Sequence, residues 1–176
     1  MQYGEQQPQE PTQVDPDISV YGILLAQMNQ EIVNSRVYEN FSGICDLNAF
    51  LGARKYFKRQ SEDELTHHTK LYDYICSRGW YPTLSPLPQE EFNPNWSLLE
   101  MFAQAVQLEK DNLKLISDIQ KKALVCSDFE TFEFIGWYTA NQTSEIDEMT
   151  KWKQKFILAS ESPAAILQLD SQLGED

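Results

Sequence analysis

The chain has 176 residues, enough for one domain with a substantial core, and hydrophobic residues make up 41% of it, which excludes disorder of the whole chain. Acidic residues outnumber basic ones by 27 to 14, and the formal charge of −13 disfavours binding to nucleic acid or an anionic membrane but attracts cations. No apolar run is long enough to span a membrane, no signal peptide is recognisable, and three widely spaced cysteines give no disulfide framework, so we expect a cytoplasmic protein.

The first half of the sequence predicts an extension followed by a helical hairpin. Residues 1–18 are rich in Gln, Pro and acidic side chains, so we expect a flexible extension before a single domain at 19–176. Two helical stretches follow, at about 19–46 and 48–78, and the short break between them makes them antiparallel neighbours. The next fifteen residues, YPTLSPLPQEEFNPN, contain four prolines and therefore cannot form a helix.

The second half predicts another hairpin and a short last helix. A third stretch begins near Trp96 and ends near Leu124, and a fourth ends near Ala159. Ser127 at the start of the fourth stretch, with a glutamate three residues on, has the spacing of a capping box. The apolar piece from Pro163 to Leu169 predicts a fifth helix with the proline in its first turn. Strand signals are absent, so we predict an all-α four-helix bundle of two hairpins joined by a long crossover.

Each of the four long stretches carries a seam of apolar residues at alternating spacings of three and four, and a glutamate interrupts each seam near its middle. A buried carboxylate without a partner is strongly destabilising, so four of them at one level of a core require compensating cations. Two divalent metal ions carry four positive charges and match the four carboxylates. The glutamates are Glu31, Glu64, Glu109 and Glu145.

The spacing within the seams also suits metal binding. Glu64 and His67 are three residues apart, so they share one face of the second helix, and Gln142 and Glu145 repeat this spacing on the fourth. Oxygen ligands with one imidazole favour iron or manganese, whereas zinc is less favoured without thiolates. An alternative interpretation is that the seam is set one position wrong, in which case some of these glutamates lie on a solvated surface.

These residues resemble the ferritin-like carboxylate proteins, which take a glutamate from each of two helices and Glu-x-x-His from each of the other two. Glu31 and Glu109 match the single glutamates, and Glu64 with His67 matches one Glu-x-x-His motif. The other motif reads Gln-Thr-Ser-Glu145, which is similar to the bacterial-type non-haem ferritins rather than to bacterioferritins or rubrerythrins. Further matches are the segments SEDELTHHTKLYDYI and FEFIGWYTANQ.

The resemblance implies a ferritin-like four-helix bundle that works as a ferroxidase, oxidising Fe(II) with O2 (or H2O2) at a di-iron centre within each subunit. It also implies a homo-oligomeric cage of twenty-four subunits in which ferric iron is stored as a mineral. Leu65 stands where haem-binding members have a methionine, so we expect no haem. By resemblance the iron ligands are Glu31, Glu64 (bridging), His67, Glu109, Gln142 and Glu145, with the aromatic Tyr38 and Trp137 near the centre as electron donors.

One further departure from the family pattern and three alternatives remain open. Some bacterial ferritins have a third iron site beside the pair, and the matching positions here are Asp63, Asn141 and Ser144. Because Asn141 and Ser144 are uncharged, we expect a third site to be weak or absent. The alternatives are a ferritin-like di-iron oxidase or peroxidase that stores no mineral, a smaller DNA-protecting cage, and a metal-free helical scaffold whose acidic seam has been misread.

Overall fold

The computed structural model describes residues 19–89, 93–160 and 162–175, and the predicted extension at 1–18 lies outside this part of the chain. The described residues contain no strand, and they confirm the predicted all-α bundle with a short terminal helix. The observed second helix begins three residues later than predicted, and the fifth continues four residues further. The helices are α1 Val20–Leu47, α2 Leu51–Ser77, α3 Leu98–Val125, α4 Phe129–Ala159 and α5 Pro163–Leu173.

The four long helices form two hairpins, in which α1 packs along α2 and α3 packs along α4. Two hydrophobic clusters fill the interior of the bundle, one around Phe41, Phe57 and Phe102 and the other around Leu71 and Ile135. On every long helix a stretch of polar side chains lies between the residues of one cluster and those of the other. We call these buried or half-buried side chains the polar layer: Glu31, Glu64, His67, Glu109, Asn112, Gln142 and Glu145.

The start of α4 differs from the prediction by one residue. Asp128, not Ser127, is the N-cap, and its carboxylate accepts a hydrogen bond from the Thr131 backbone N–H at 3.1 Å. Ser127 instead adopts a left-handed backbone with φ of 56°, which is typical of the residue that follows a helix C-cap. Arg78, the C-cap of α2, favours Asp128 as the N-cap because its guanidinium lies 2.9 Å from the Asp128 carboxylate and holds that side chain in place.

A capping box that the sequence analysis missed lies at the start of α3. The Ser97 side chain accepts from the backbone of Glu100, whose carboxylate in turn accepts from the backbone of Ser97. The pair satisfies two backbone N–H groups and fixes the point at which the Pro-rich crossover becomes a helix. The prediction of Pro163 in the first turn of α5 is confirmed.

Asp170 on α5 supplies the cap that α2 lacks. Its Oδ1 accepts a hydrogen bond from the Ala53 backbone N–H at 2.8 Å, whereas Phe50, the N-cap of α2, makes no side-chain capping bond. The carboxylate is only 7% exposed and lies at the positive end of the α2 dipole. Gly52 permits this close approach, because a Cβ atom at that position would lie 1.7 Å from the carbonyl oxygen of Asp170.

Replacing Gly52 with alanine is therefore expected to displace α5 and to lower the free energy of unfolding by about 1–3 kcal/mol, the usual cost of overpacking. Thermal denaturation and hydrogen exchange of the α5 amides measure the two effects. Gly43→Ala is the matched control, since a Cβ atom there meets nothing within 4 Å and alanine favours the α1 helix. Unchanged exchange of α5 in Gly52→Ala would show that α5 docks elsewhere.

Candidate metal centre

The polar layer brings together side chains from all four long helices. Glu31 from α1, Glu64 from α2 and Glu109 from α3 are almost fully buried, and Glu145 from α4 is half-buried. The alternative that the seam is set one position wrong is therefore excluded for the first three glutamates. Their burial follows from the sequence, because each occupies a seam position between apolar residues that pack in the two hydrophobic clusters.

Three of the candidate ligands lie within reach of a single cation. One ligating atom from each of Glu31, Glu64 and His67 lies within 4.8 Å of the other two. The Nδ1 atom of His67 is 3.1 Å from Glu64 Oε2 and 3.9 Å from Glu31 Oε2. This ring nitrogen therefore faces the carboxylates and is the one available to a metal ion.

The other candidate ligands lie on the α3–α4 side of the layer. Gln142 donates a hydrogen bond from Nε2 to Glu109 Oε2, and Tyr38 donates one from its hydroxyl to Glu109 Oε1. Gln142 Oε1 accepts from Asn112 Nδ2 at 3.2 Å. Glu145 Oε1 accepts from Asn141 Nδ2 at 2.8 Å. Glu109 is thus held by two donors, and the oxygen through which Gln142 could bind a metal is engaged by Asn112.

Sequence reasoning assigned no role to Gln27 or Asn112, which connect the two sides of the layer. Gln27 donates from Nε2 to both Glu31 Oε1 and Asn112 Oδ1. Asn112 in turn donates a hydrogen bond from Nδ2 to Gln142 Oε1. Gln27 lies one helical turn before Glu31, a spacing that does indicate a contact between the two side chains. For Asn112 the only signal was its polar side chain at a seam position.

Burial and mutual repulsion shift the protonation of the carboxyl groups. Burial and the charge of Glu31 raise the pKa of Glu64 well above its usual value. Burial raises the pKa of Glu109 to about 7, and burial with the charge of Glu109 raises the pKa of Glu145 to about 8. Burial lowers the pKa of His67, so the ring is neutral near pH 7 and can act as a ligand.

The donor set fits divalent cations with a preference for oxygen. Among the described residues, the buried atoms Glu31 Oε2 and Glu145 Oε2 have no hydrogen-bond partner, so each can accept a metal ion without losing a contact. Four carboxylates with one neutral imidazole are the ligands that iron and manganese prefer. A cation in the layer would also supply the positive charge that these glutamates otherwise lack.

The predicted aromatic residues lie next to this site. Tyr38 is fully buried and its ring stacks on Phe57 at 6.2 Å, while its hydroxyl contacts Glu109. Trp137 lies with its ring centroid 5.8 Å from that of His67 and stacks on Tyr138 at 4.8 Å. Both rings therefore lie beside candidate metal ligands, Tyr38 against Glu109 and Trp137 against His67.

The three positions of the expected third site are less buried than the polar layer. Asp63 and Ser144 are exposed, and Asn141 is half-buried. Asn141 holds Glu145 through the bond described above and also lies 3.1 Å from His67 Nε2. This position therefore contacts two candidate ligands, His67 and Glu145, through a neutral amide. Over the described ranges no helix is long and apolar enough to cross a membrane.

Comparisons with known proteins agree with the fold. The family model of the ferritin-like domain matches residues 22–158. The chain is 29% identical to the bacterial non-heme ferritin of Shigella flexneri over 84% of this chain and 88% of the relative. It is 31% identical to that of Staphylococcus saprophyticus over 68% of this chain and 71% of the relative.

Solved structures give the same result. An open pore ferritin from the archaeon Archaeoglobus fulgidus superposes with a TM-score of 0.85 at 28% sequence identity, covering 89% of this chain and 96% of its own. The match extends over both hairpins, so the bundle and its connections are shared and not only single helices. The chain therefore belongs to the ferritin-like domain family.

Proposed function

We propose that this chain is the subunit of an iron-storage ferritin with ferroxidase activity. The observation that carries the proposal is the polar layer, in which four glutamates and one histidine from four helices meet between two hydrophobic clusters. Without a cation these buried carboxyl groups must hold protons, as their raised pKa values indicate, and they can be ionised together only where cations compensate their charge. Fe(II) is the substrate, and O2 is the electron acceptor.

In this proposal the two Fe(II) ions occupy opposite sides of the polar layer. Glu31 and His67 bind the first ion, Glu109 and Glu145 bind the second, and Glu64 bridges the two. Gln142 orients Glu109 through its hydrogen bond and lies beside the second ion. Each Fe(II) supplies one electron, so a bound pair supplies the two electrons that, together with two protons taken from water, reduce O2 to hydrogen peroxide and leave two Fe(III). The buried walls of the site keep bulk water away from the reacting ions.

The proposal extends to a cytoplasmic cage of twenty-four subunits that holds the ferric product as a mineral. It is supported by the ferritin names of the sequence relatives and of the archaeal structure. Large apolar side chains that a single subunit leaves exposed also support it, because subunit contacts would cover them. They include Leu47, Leu84, Val125, Phe129 and Leu158, which are between 59% and 85% exposed.

An anaerobic titration of the metal-free protein with Fe(II), followed by addition of oxygen, tests this function. We expect saturation at two Fe(II) per subunit, rapid oxidation on adding O2, and a large particle that accumulates ferric mineral on repeated additions. Oxidation without mineral in a small particle would favour a ferritin-like oxidase or peroxidase. Absence of Fe(II) binding would refute the metal centre and leave a helical scaffold.

Replacing Tyr38 with phenylalanine is expected to slow oxidation while binding still saturates at two Fe(II) per subunit. The variant keeps the buried ring against Phe57 but removes the hydroxyl that holds Glu109 and could donate an electron. Loss of one outer hydrogen bond to a metal ligand typically lowers activity or affinity about 10–100-fold. Stopped-flow absorbance after a calibrated Fe(II) load measures the rate, and an unchanged rate would assign Tyr38 to packing alone.

A further inference from the structure

The amide of Asn141 is placed between one ligand of each proposed metal position. Its Nδ2 lies 2.8 Å from Glu145 Oε1, a candidate ligand of the second ion. The same atom lies 3.1 Å from Nε2 of His67, the ring nitrogen that points away from the first ion. Asn141 stands one helical turn before Glu145 on α4 and is half-buried. The two contacts account for both N–H groups of the amide.

These contacts fix which groups donate. Glu145 Oε2 has no partner among the described residues, so a proton on this carboxyl group resides there, and Oε1 accepts the N–H of Asn141 at 2.8 Å whether Glu145 is protonated or ionised. His67 Nε2 must then accept the second N–H of the amide and carries no proton itself. The proton of the neutral ring therefore lies on Nδ1, where it faces Glu64 Oε2 at 3.1 Å.

A metal ion bound to Nδ1 of His67 reverses this arrangement. The ring then carries its single proton on Nε2, so its net protonation is unchanged but Nε2 becomes a donor. Two donors would face each other across 3.1 Å unless the Asn141 amide turns over and presents its oxygen to the ring. Metal-binding histidines commonly donate their other N–H to such an oxygen.

Turning the amide also changes the environment of Glu145. In the ionised form, which is the one that binds a metal ion, its Oε1 would lose the N–H of Asn141 and would face an amide oxygen instead, while its Oε2 already has no partner among the described residues. The carboxylate is then free to move to the second ion. We propose that Asn141 is a positioning residue that makes binding of the first divalent cation release Glu145 for the second, an inference that rests on the proposed two-ion site.

This role predicts positive coupling between the two ions. Whichever ion binds first must separate Glu145 from Asn141, and the ion that follows finds the carboxylate already released. The reorganisation is therefore needed once for two binding events. Coupling of this origin typically changes affinity about 5–150-fold and acts in both directions. Without the Asn141 amide the two ions bind with no such link.

Calorimetric titration of the metal-free full-length protein with Zn(II), which is redox-inert, tests the inference without any catalytic readout. The measured quantity is the ratio of the first to the second dissociation constant per subunit. In Asn141→Leu, which keeps the volume but has no donor or acceptor, we expect this ratio to fall at least about fivefold relative to the wild type. Asn141→Ala is a second variant should leucine not fit. Asn40→Leu on α1 is the matched control, because within the described residues the Asn40 side chain hydrogen-bonds only to the Arg36 carbonyl of its own helix.

The outcomes separate the inference from the proposed function. A lower ratio in both Asn141 variants, with the wild-type ratio retained in Asn40→Leu, supports the coupling. Two Zn(II) ions bound with the wild-type ratio in the Asn141 variants would overturn the role of Asn141 and leave the metal centre intact. Failure of the wild type to bind a divalent ion would overturn the metal centre and, with it, the coupling.

Discussion

Replacing Glu64 with alanine is expected to reduce Fe(II) oxidation by more than about a hundredfold and to leave fewer than two Fe(II) bound per subunit. Loss of a group that only supports a metal ligand already costs about 10–100-fold, and Glu64 is proposed to contact both ions. The structure gives it a central position, since it is 3% exposed, contacts His67 Nδ1 at 3.1 Å and has its pKa raised further by Glu31, Glu109 and Glu145. Anaerobic Fe(II) titration and the initial rate of oxidation after oxygen is added measure the two effects.

Glu62→Ala is the matched control for this prediction. Glu62 lies on the same helix two residues earlier, but its side chain is exposed, so its removal is expected to leave both Fe(II) binding and oxidation unchanged. Glu64→Gln keeps the volume of the side chain and separates loss of the ligand from loss of packing. Normal stoichiometry and rate in Glu64→Gln would contradict the bridging role.

Most of the fold and the burial of the candidate site residues could be predicted because both depend on a local pattern. The seam of α3 was placed from spacing alone, and all eight of its residues are buried: Leu98, Phe102, Ala105, Glu109, Asn112, Ile116, Ile119 and Ala123. Helical periodicity fixes which side chains face the same way, so the glutamates of the first three seams had to enter the core once the helices paired, while Glu145 lies half-buried. The pairing itself followed from the lengths of the connections.

What could not be predicted depends on partners far away in the chain. The cap of α4 is chosen by Arg78, which is 50 residues from Asp128, and the cap of α2 comes from Asp170, which is 117 residues from Ala53. The amide contact from Gln27 to Asn112 spans 85 residues. Such contacts depend on rotamers and on the packing of complete helices, and no spacing within one segment indicates them.

The metal-free protein is expected to lose stability as the pH rises from about 5 to about 8, and Glu145→Gln is expected to remove part of that loss. Burial and the charge of Glu109 raise the pKa of Glu145 to about 8, from a usual value of 4.5. Between these pH values the folded state holds a proton that the unfolded state releases, so the free energy of unfolding falls with rising pH. The contribution is fully present below pH 4.5 and is lost above about 8. Glutamine, which needs no proton, lacks this dependence.

Thermal denaturation in a chelator at pH 5 and pH 8.5 measures the effect as the difference between the wild type and Glu145→Gln. At pH 5 we expect the wild type and the variant to have nearly the same free energy of unfolding. At pH 8.5 we expect the free energy of unfolding of the variant to be higher than that of the wild type, by an amount on the order of a few kcal/mol. Saturating Zn(II) at pH 8.5 should reverse the order, because a cation that binds the folded state stabilises the protein by an amount that grows with the logarithm of its affinity, and Glu145 is a proposed ligand. A variant that is more stable both with and without metal would show that Glu145 opposes folding and contributes nothing to metal binding. The reversal requires one carboxylate to destabilise the empty core and to stabilise the loaded one, which is the physical property that distinguishes a metal ligand from a misplaced charge.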